Sequence, residues 1–475
     1  MNTSAKPNTT FILVLISLAA FMGALDTTIV NISLPTLSKY FNCDVSTVSW
    51  VAMAYLLIVS SMLITFGRVA DIRGYKRVYL AGFAIFTVGS LLCGLSSNIY
   101  LLIGFRVFQA IGAAMLQAIG AAMVVRYLPE KIRGTAIGLI TTFAAVGLAA
   151  GTPLGGLLVQ FYSWHWIFFI NVPVGIIAIV MAIVTLPRDI KETVKAKFDM
   201  PGAALLFIAL GSFIFYLNMG NNIGWLSWLM FLIIVVSLAT WVGFVLNEKR
   251  AGAPLINLSL FRDKNFAIAV VVSILVMLIA QGSWYAFPFY LEFEKGLATN
   301  VAGLVLLIPT IAMMIFGPVA GYLSDRIGSR PICIIASAFM VAAFLLFALM
   351  GTETGLRYII IALVLEGIGI GLILPANLNL IMGSSPKGDE GVVNSLVNTA
   401  RNAGAVVGIA VFTLIFLSVL AMKGISTSGI TAHALPPAAY AIGFHVIFFF
   451  GAALGLVMLI INWVSKEERK SVARR

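Results

Sequence analysis

Four ionisable side chains interrupt runs that are otherwise apolar: Asp26, Arg106, Glu366 and Arg401. Asp26 stands inside FILVLISLAAFMGALDTTIVNISLP, Phe11 to Pro35, and Glu366 inside VLEGIGIGLILP. A carboxylate at bilayer depth costs about 2.5–3.5 kcal/mol on insertion scales. A chain keeps one where it faces a wet cavity, takes a proton or meets a cation. Arginine does not lose its charge at ordinary pH, so Arg106 must be paired or face water. The chemistry open to such residues is proton exchange and ion recognition. Bond-making chemistry is not indicated: there is no Walker loop, HExxH or GxSxG. Cys43, Cys93 and Cys333 have no metal or disulfide spacing, and His165, His433 and His445 are equally scattered. The expectation is no enzyme, no metal and no cofactor, with no ATP-driven step within the chain.

The elements that must hold these residues follow from composition. The chain of 475 residues is 61% hydrophobic and only 10% charged, against about 25% charged in a soluble domain. The apolar runs are continuous over ~20 residues, the length of spanning helices rather than of alternating barrel strands. Hydropathy predicts fourteen spans, at about 11–34, 47–67, 78–97, 100–125, 134–160, 167–187, 201–219, 226–246, 265–289, 300–322, 331–350, 357–382, 392–421 and 439–464. The first run is longer than a signal-peptide core and lacks an AxA-type cleavage site, so it reads as a span.

An even number of spans puts both termini on one side. With cytoplasmic termini, 24 lysines and arginines fall on the inner side and 4 on the outer, and Arg106 and Arg401 lie within spans. The positive-inside rule therefore predicts a multi-pass plasma-membrane protein with both termini cytoplasmic. The net charge of +12 is then a topology signal spread over many loops, not a nucleic-acid patch.

The sequence also repeats. Gly67, Asp71 and Gly74 after span two match Gly321, Asp325 and Gly328 after span ten, at an offset of 254 residues. Gly147 and Gly151 in span five match Gly404 and Gly408 in span thirteen, at an offset of 257. Such offsets suggest a parallel repeat about an axis along the membrane normal. The expected fold is all-α and integral to the membrane. It has a six-helix bundle over 1–187, two inserted transmembrane helices with their connectors over 188–264, and a second six-helix bundle over 265–475.

The loop GRVADIRGYKR, Gly67 to Arg77, the stretch LDTTIVNISLP, the span-four run GFRVFQAIGAA, the span-five run GLITTFAAVGLAAGTPLGG and WHWIFFINVPVG carry a family resemblance. Together with fourteen spans they resemble the major facilitator superfamily, in its fourteen-span drug:proton antiporter branch, which includes exporters of quaternary ammonium compounds. The chain departs from that pattern at Ala110, where Gly is usual, at Thr152, which separates Gly151 from Pro153, and at His165, where Arg is common. The resemblance implies two bundles that rock to give alternating access, with a proton gradient as the energy source. It places the span-four arginine, here Arg106, in proton coupling. It makes the loop residues Gly67, Asp71, Arg73, Gly74 and Arg77, with Asp325 in the second copy, a cytoplasmic gate. It links Gly147, Gly151, Pro153 and Gly155 to antiport.

The residues themselves allow several roles. Asp26 carries a proton, meets a cation, or locks a helix while protonated. By helix rise it lies ~13 Å below the outer end of span one, and Arg106 lies ~9 Å below that of span four, which allows a shared polar network. Glu366 lies ~14 Å below the outer end of span twelve and offers a second acid to a cationic substrate or to protons. Arg401 pairs with a carboxylate or reaches inner water. Asn31, Tyr55, Gln109, Trp284, Tyr285, Asn379 and Arg401 are candidates for lining a binding cavity, and Trp164, Trp166, Trp225 and Trp228 for an interfacial aromatic belt. The expected activity is proton-coupled export of amphipathic, cationic drug-like compounds. The alternative is a dedicated exporter or flippase of an endogenous metabolite or lipid. The expected partners are the small-molecule substrate, protons and the bilayer, with no nucleic acid, and the chain is expected to act as a monomer.

Overall fold

The computed structural model describes residues 9–187, 199–251, 258–351, 353–383, 390–424 and 437–465. The connector 188–198, Lys387 and the basic residues after 465, all used in the topology count, lie outside them. The helices are α1 (Thr9–Tyr40), α2 (Val45–Arg73), α3 (Tyr75–Gly94), α4 (Ile99–Tyr127), α5 (Glu130–Phe161), α6 (Trp166–Phe169), α7 (Asn171–Thr185), α8 (Met200–Ile223) and α9 (Trp228–Arg250). They continue with α10 (Lys264–Phe289), α11 (Thr299–Val305), α12 (Leu307–Ile327), α13 (Ser329–Ala348), α14 (Leu356–Gly383), α15 (Glu390–Met422) and α16 (Pro437–Val464). Fourteen helical segments are long and apolar enough to cross a membrane, one for each span read from the sequence.

Local chemistry sets where these helices start and break. Asp44, Asn98 and Asp263 cap α2, α4 and α10, accepting from backbone N–H groups of Thr47 at 2.6 Å, Leu101 at 2.9 Å and Asn265 at 2.8 Å. Each cap satisfies a donor that the helix cannot satisfy itself, worth about 1 kcal/mol. Two spans are each split in two, and a proline stands four residues after each break. Pro173 has no N–H for the carbonyl of Phe169, where α6 ends, and Pro309 has none for Val305, where α11 ends. A π-helical turn, Tyr290–Glu294, follows α10 just beyond Pro288.

The chain divides into two compact units. Unit 1 comprises Met1–Phe213, Phe231–Leu255 and Ala298–Gly303; unit 2 comprises Ile214–Met230, Ile256–Leu297 and Leu304–Arg475. In unit 1, α1 packs along α5, α4 receives both α2 and α3, and α3 also packs on α7. In unit 2, α10 packs along α15, α14 receives both α12 and α13, and α13 also packs on α16. The pairing order is the same, as a parallel repeat requires. Within unit 1, Asp199 joins α8 to α9: it accepts from the Gly202 N–H at 2.9 Å and from the Asn247 amide at 2.5 Å.

The repeat extends to backbone geometry. Gly74 ends α2 and opens α3 with φ 98° and ψ 143°; Gly328 ends α12 and opens α13 with φ 93° and ψ 158°. Each N–H still closes its helix, on Ala70 at 2.9 Å and on Ser324 at 3.1 Å. That conformation is essentially reserved for glycine, so Gly74→Ala and Gly328→Ala should each cost about 1–3 kcal/mol. Thermal unfolding of each variant in detergent checks this, and unchanged midpoints would contradict it. Two residues beyond each glycine a cation caps the end of another helix of its own unit. Lys76 Nζ donates to the carbonyls of Ile183 at 2.8 Å and Leu186 at 2.6 Å, at the end of α7. Arg330 donates to Asn462 and Trp463 at the end of α16. A cation at a helix C-terminus satisfies free carbonyls and opposes the helix dipole.

Small-residue stripes hold the long pairs together. A Cβ on Gly147 of α5 would fall 2.5 Å from the Phe21 carbonyl of α1, and Gly151 and Gly155 meet Thr28 and Ile32 just beyond. Gly404 and Gly408 of α15 sit as tightly on Ile274 and Leu278 of α10. Such contacts let helix backbones approach closely where no water drives association.

Candidate functional site

Five helices of unit 1 converge on Asp26. Its Oδ2 accepts from Arg106 Nη1 of α4 at 2.6 Å. Its Oδ1 accepts from Gln109 Nε2, also on α4, at 3.0 Å and from Asn171 Nδ2 of α7 at 3.3 Å. Arg106 also donates to Gln109 Oε1 at 2.7 Å and, through Nε, to the Val51 carbonyl of α2 at 3.1 Å. Gln109 Nε2 continues to Ser90 Oγ of α3 at 2.7 Å. The Tyr55 ring of α2 lies beneath the guanidinium, 4.1 Å from its carbon, as a cation–π partner. Asp26 and Gln109 are 0% exposed and Arg106 1%. The ion pair is therefore fully enclosed, and five helices are tied to it.

Packing explains how the groups reach each other. A Cβ on Gly89 of α3 would lie 2.6 Å from Gln109 Cα, and one on Gly112 of α4 would strike the backbone of Phe86. The two glycines let α3 and α4 close, which brings Ser90 within reach of Gln109. On the other side, Gly147, Gly151 and Gly155 seat α5 on the turns of α1 that flank Asp26. Pro153 lies within α5, which continues unbroken to Phe161.

Unit 2 holds the second acid in a different setting. Glu366 on α14 is 0% exposed, and neither oxygen has a hydrogen-bond partner. Ser283 on α10 is its polar neighbour, and the Ser283 hydroxyl also lacks a well-formed bond. Among the described residues no cation pairs with Glu366. Asp26 and Glu366 thus differ in kind: one is ion-paired and bonded on both oxygens, the other has only the Ser283 hydroxyl near it.

The remaining sequence candidates are dispersed. Asp71 accepts from the Tyr75 hydroxyl at 2.6 Å and lies 3.7 Å from Arg68. Arg73 and Arg77 are exposed and Gly67 half-buried. Asp325 stands on α12, but its side chain is outside the described residues. Asn31 is buried with both amide atoms unpartnered, and the Tyr55 hydroxyl is likewise unpartnered. Trp284 is half-buried with an unpartnered indole N–H, Tyr285 is buried beside Phe289, and Asn379 is exposed. Arg401 donates to the Leu374 carbonyl at 3.3 Å. Trp164, expected at an aromatic belt, is buried instead, among Tyr40, Phe41 and Phe168 and stacked on His165 at 3.8 Å. Burial holds the His165 imidazole below its ordinary pKa, and its Nδ1 lies 2.6 Å from the Ser163 hydroxyl. Burial, reinforced by Asp44, pushes the Cys43 thiol up to about 12, so it is protonated at neutral pH.

Sequence reasoning missed Ser90, Asn171 and the Val51 carbonyl. Asn171 had a readable signal, a carboxamide in the apolar stretch WHWIFFINVPVG. The carbonyl had none. Among the described residues no group of three His, Cys, Asp or Glu side chains is placed to hold a metal.

Comparison with known proteins agrees with this architecture. Residues 16–409 and 269–475 match the model of the Major Facilitator Superfamily. The chain is 31% identical to the riboflavin transporter RibZ of Clostridioides difficile (strain 630) over 405 residues, covering 85% of this chain and 88% of that one. It is 30% identical to the multidrug resistance protein Stp of Mycobacterium tuberculosis over 407 residues, covering 85% of this chain and 75% of that one. The crystal structure of a D-xylose-proton symporter shares the fold, with a TM-score of 0.68 at 14% identity, over 97% of this chain and 98% of that one. The family's members are transporters rather than enzymes and need no cofactor. On the family match, the relatives and the fourteen spans, the chain belongs to the Major Facilitator Superfamily and is a multi-pass membrane transporter.

Proposed function

We propose that the chain exports amphipathic, cationic drug-like compounds across the plasma membrane in exchange for protons, as a monomer with both termini cytoplasmic. The observation that carries this reading is the enclosed Asp26–Arg106 pair. Protonating Asp26 removes the charge that balances Arg106, whose guanidinium cannot neutralise in turn. Breaking a buried pair on one side costs about 3–5 kcal/mol. Proton arrival therefore acts directly on α1 and α4, and through the Val51 and Asn171 contacts on α2 and α7. Glu366 is a second protonatable group in unit 2. A carboxylate with no counter-charge and only one hydroxyl near it is strongly disfavoured when ionised, so it holds a proton while enclosed and releases it only when water reaches α14. Asp71, Gly74 and Asp325 are assigned to a cytoplasmic gate. The multidrug resistance relative supports the drug reading.

One observation favours a second reading. The riboflavin transporter RibZ matches at 31% identity, which suits a dedicated exporter of an endogenous metabolite on the same fold. Inverted vesicles carrying an imposed pH gradient separate the two. Dissipation of the gradient by ethidium and tetraphenylphosphonium supports drug:proton antiport. Dissipation by riboflavin alone selects the metabolite exporter, and no dissipation by either class contradicts proton coupling.

A further inference from the structure

One permanently charged side chain in unit 2 lacks the partner its position demands. Arg401 on α15 shares a stripe with Gly404 and Gly408, three and seven residues on. Those glycines lie directly against the α10 backbone at Ile274 and Leu278. The stripe therefore faces the helix packing of unit 2, not lipid. From it Arg401 reaches α14, where it donates to the Leu374 carbonyl at 3.3 Å. Its Nε is buried without an acceptor, and no carboxylate among the described residues pairs with it.

Arg401 differs from the ionisable groups buried in the other spans. Arg106 is balanced by Asp26. Glu366 can neutralise by holding a proton. Arg401 can do neither, because a guanidinium stays charged. Glu366 is not its missing partner: it lies eight residues from Leu374 along α14, about 12 Å by helix rise. On the same turn of α14 as Leu374, Asn377 donates to the Ala269 carbonyl and the Ser273 hydroxyl of α10, both at 2.8 Å. That turn is thus fixed, and the half-buried Arg401, with Nη2 bonded to Leu374 and Nε without an acceptor, holds its remaining N–H donors beside a rigid surface. A guanidinium fork matches a carboxylate or phosphate in two parallel hydrogen bonds.

We propose that Arg401 anchors an anionic oxygen group, a carboxylate or phosphate, of the transported compound. This rests on the export reading and narrows its substrate class: the preferred compound carries an acid group as well as its cationic, amphipathic body. A lipid phosphate offers the same chemistry, but the inward-facing stripe favours the cargo.

The test uses the full chain in liposomes with the zwitterion norfloxacin and its methyl ester, which lacks the carboxylate. Wild type should show a KM for the ester at least ten times that for the acid. In Arg401→Gln the ratio should fall to within about twofold of unity. Arg401→Lys keeps the charge but not the fork, so its ratio should fall at least threefold below wild type, and this variant decides the matter if Arg401→Gln does not insert. A wild-type ratio near unity, or ratios unchanged in the variants, overturns the anchor while leaving proton-driven export standing. Export of ethidium but of neither norfloxacin probe overturns the anchor and leaves the export reading standing; export of none of the three overturns both. The measurements are repeated with and without phosphatidylglycerol. If Arg401→Gln alters only the dependence on this anionic lipid, the partner is a headgroup and the cargo anchor is overturned.

Discussion

Asp26→Asn is expected to abolish proton-driven export while the protein still inserts in the membrane. The substitution keeps the shape of the side chain and one acceptor for Arg106, but removes the charge. Arg106, 1% exposed, is then left with that amide oxygen, the Gln109 and Val51 oxygens and the Tyr55 ring face, none of which is anionic. The predicted penalty is about 3–5 kcal/mol of stability, read as a lower unfolding midpoint in detergent. The double substitution Asp26→Asn with Arg106→Met should recover much of that midpoint, because it removes the uncompensated charge. It should not recover export. Recovery of stability without transport marks the pair as a coupling element rather than a brace. Undiminished gradient-driven export by Asp26→Asn would remove Asp26 from the mechanism.

Glu366→Gln is expected to show the opposite signature. The carboxyl has no counter-charge and no hydrogen-bond partner to lose. A neutral side chain of the same size therefore should not lower the unfolding midpoint, and Glu366→Leu should also be tolerated. Export driven by the pH gradient should nonetheless fall at least tenfold in both, equivalent to about 1.4 kcal/mol, because neither can load or release a proton. A midpoint that drops as far as that of Asp26→Asn would mean that Glu366 is ionised and paired in the folded protein. Wild-type export by Glu366→Gln would confine proton coupling to unit 1.

Much of this arrangement is legible in the sequence because bilayer physics writes it in long runs. Fourteen spans follow from apolar length, and the two units' shared pairing order follows from matched glycines such as Gly74 and Gly328. The pairing of Asp26 with Arg106 was open to estimation from helix rise alone, since both fall in the outer half of their spans. Other features needed coordinates. Gln109 reads from sequence as a cavity-lining amide, yet it bonds to the ion pair, because only the close approach of α3 at Gly89 brings Ser90 to its other side. Lys76 and Arg330 read as topology charges. Which carbonyls they cap depends on where α7 and α16 end. Trp164 reads as a belt residue because it falls near the outer interface, yet Tyr40 and Phe41 at the end of α1 pack against it. The isolation of Glu366 and Arg401 is also invisible in sequence, which shows a charge but not the absence of its partner.

The coupling account rests on protons and substrate competing for one protein. The most direct measurement is proton release from the detergent-solubilised, unbuffered protein on addition of a saturating exported cation. The prediction is release of protons by wild type at a pH where its coupling sites are loaded, with release abolished in Asp26→Asn. Substrate binding to wild type without proton release, or release undiminished in Asp26→Asn, would contradict the role given to the Asp26–Arg106 pair.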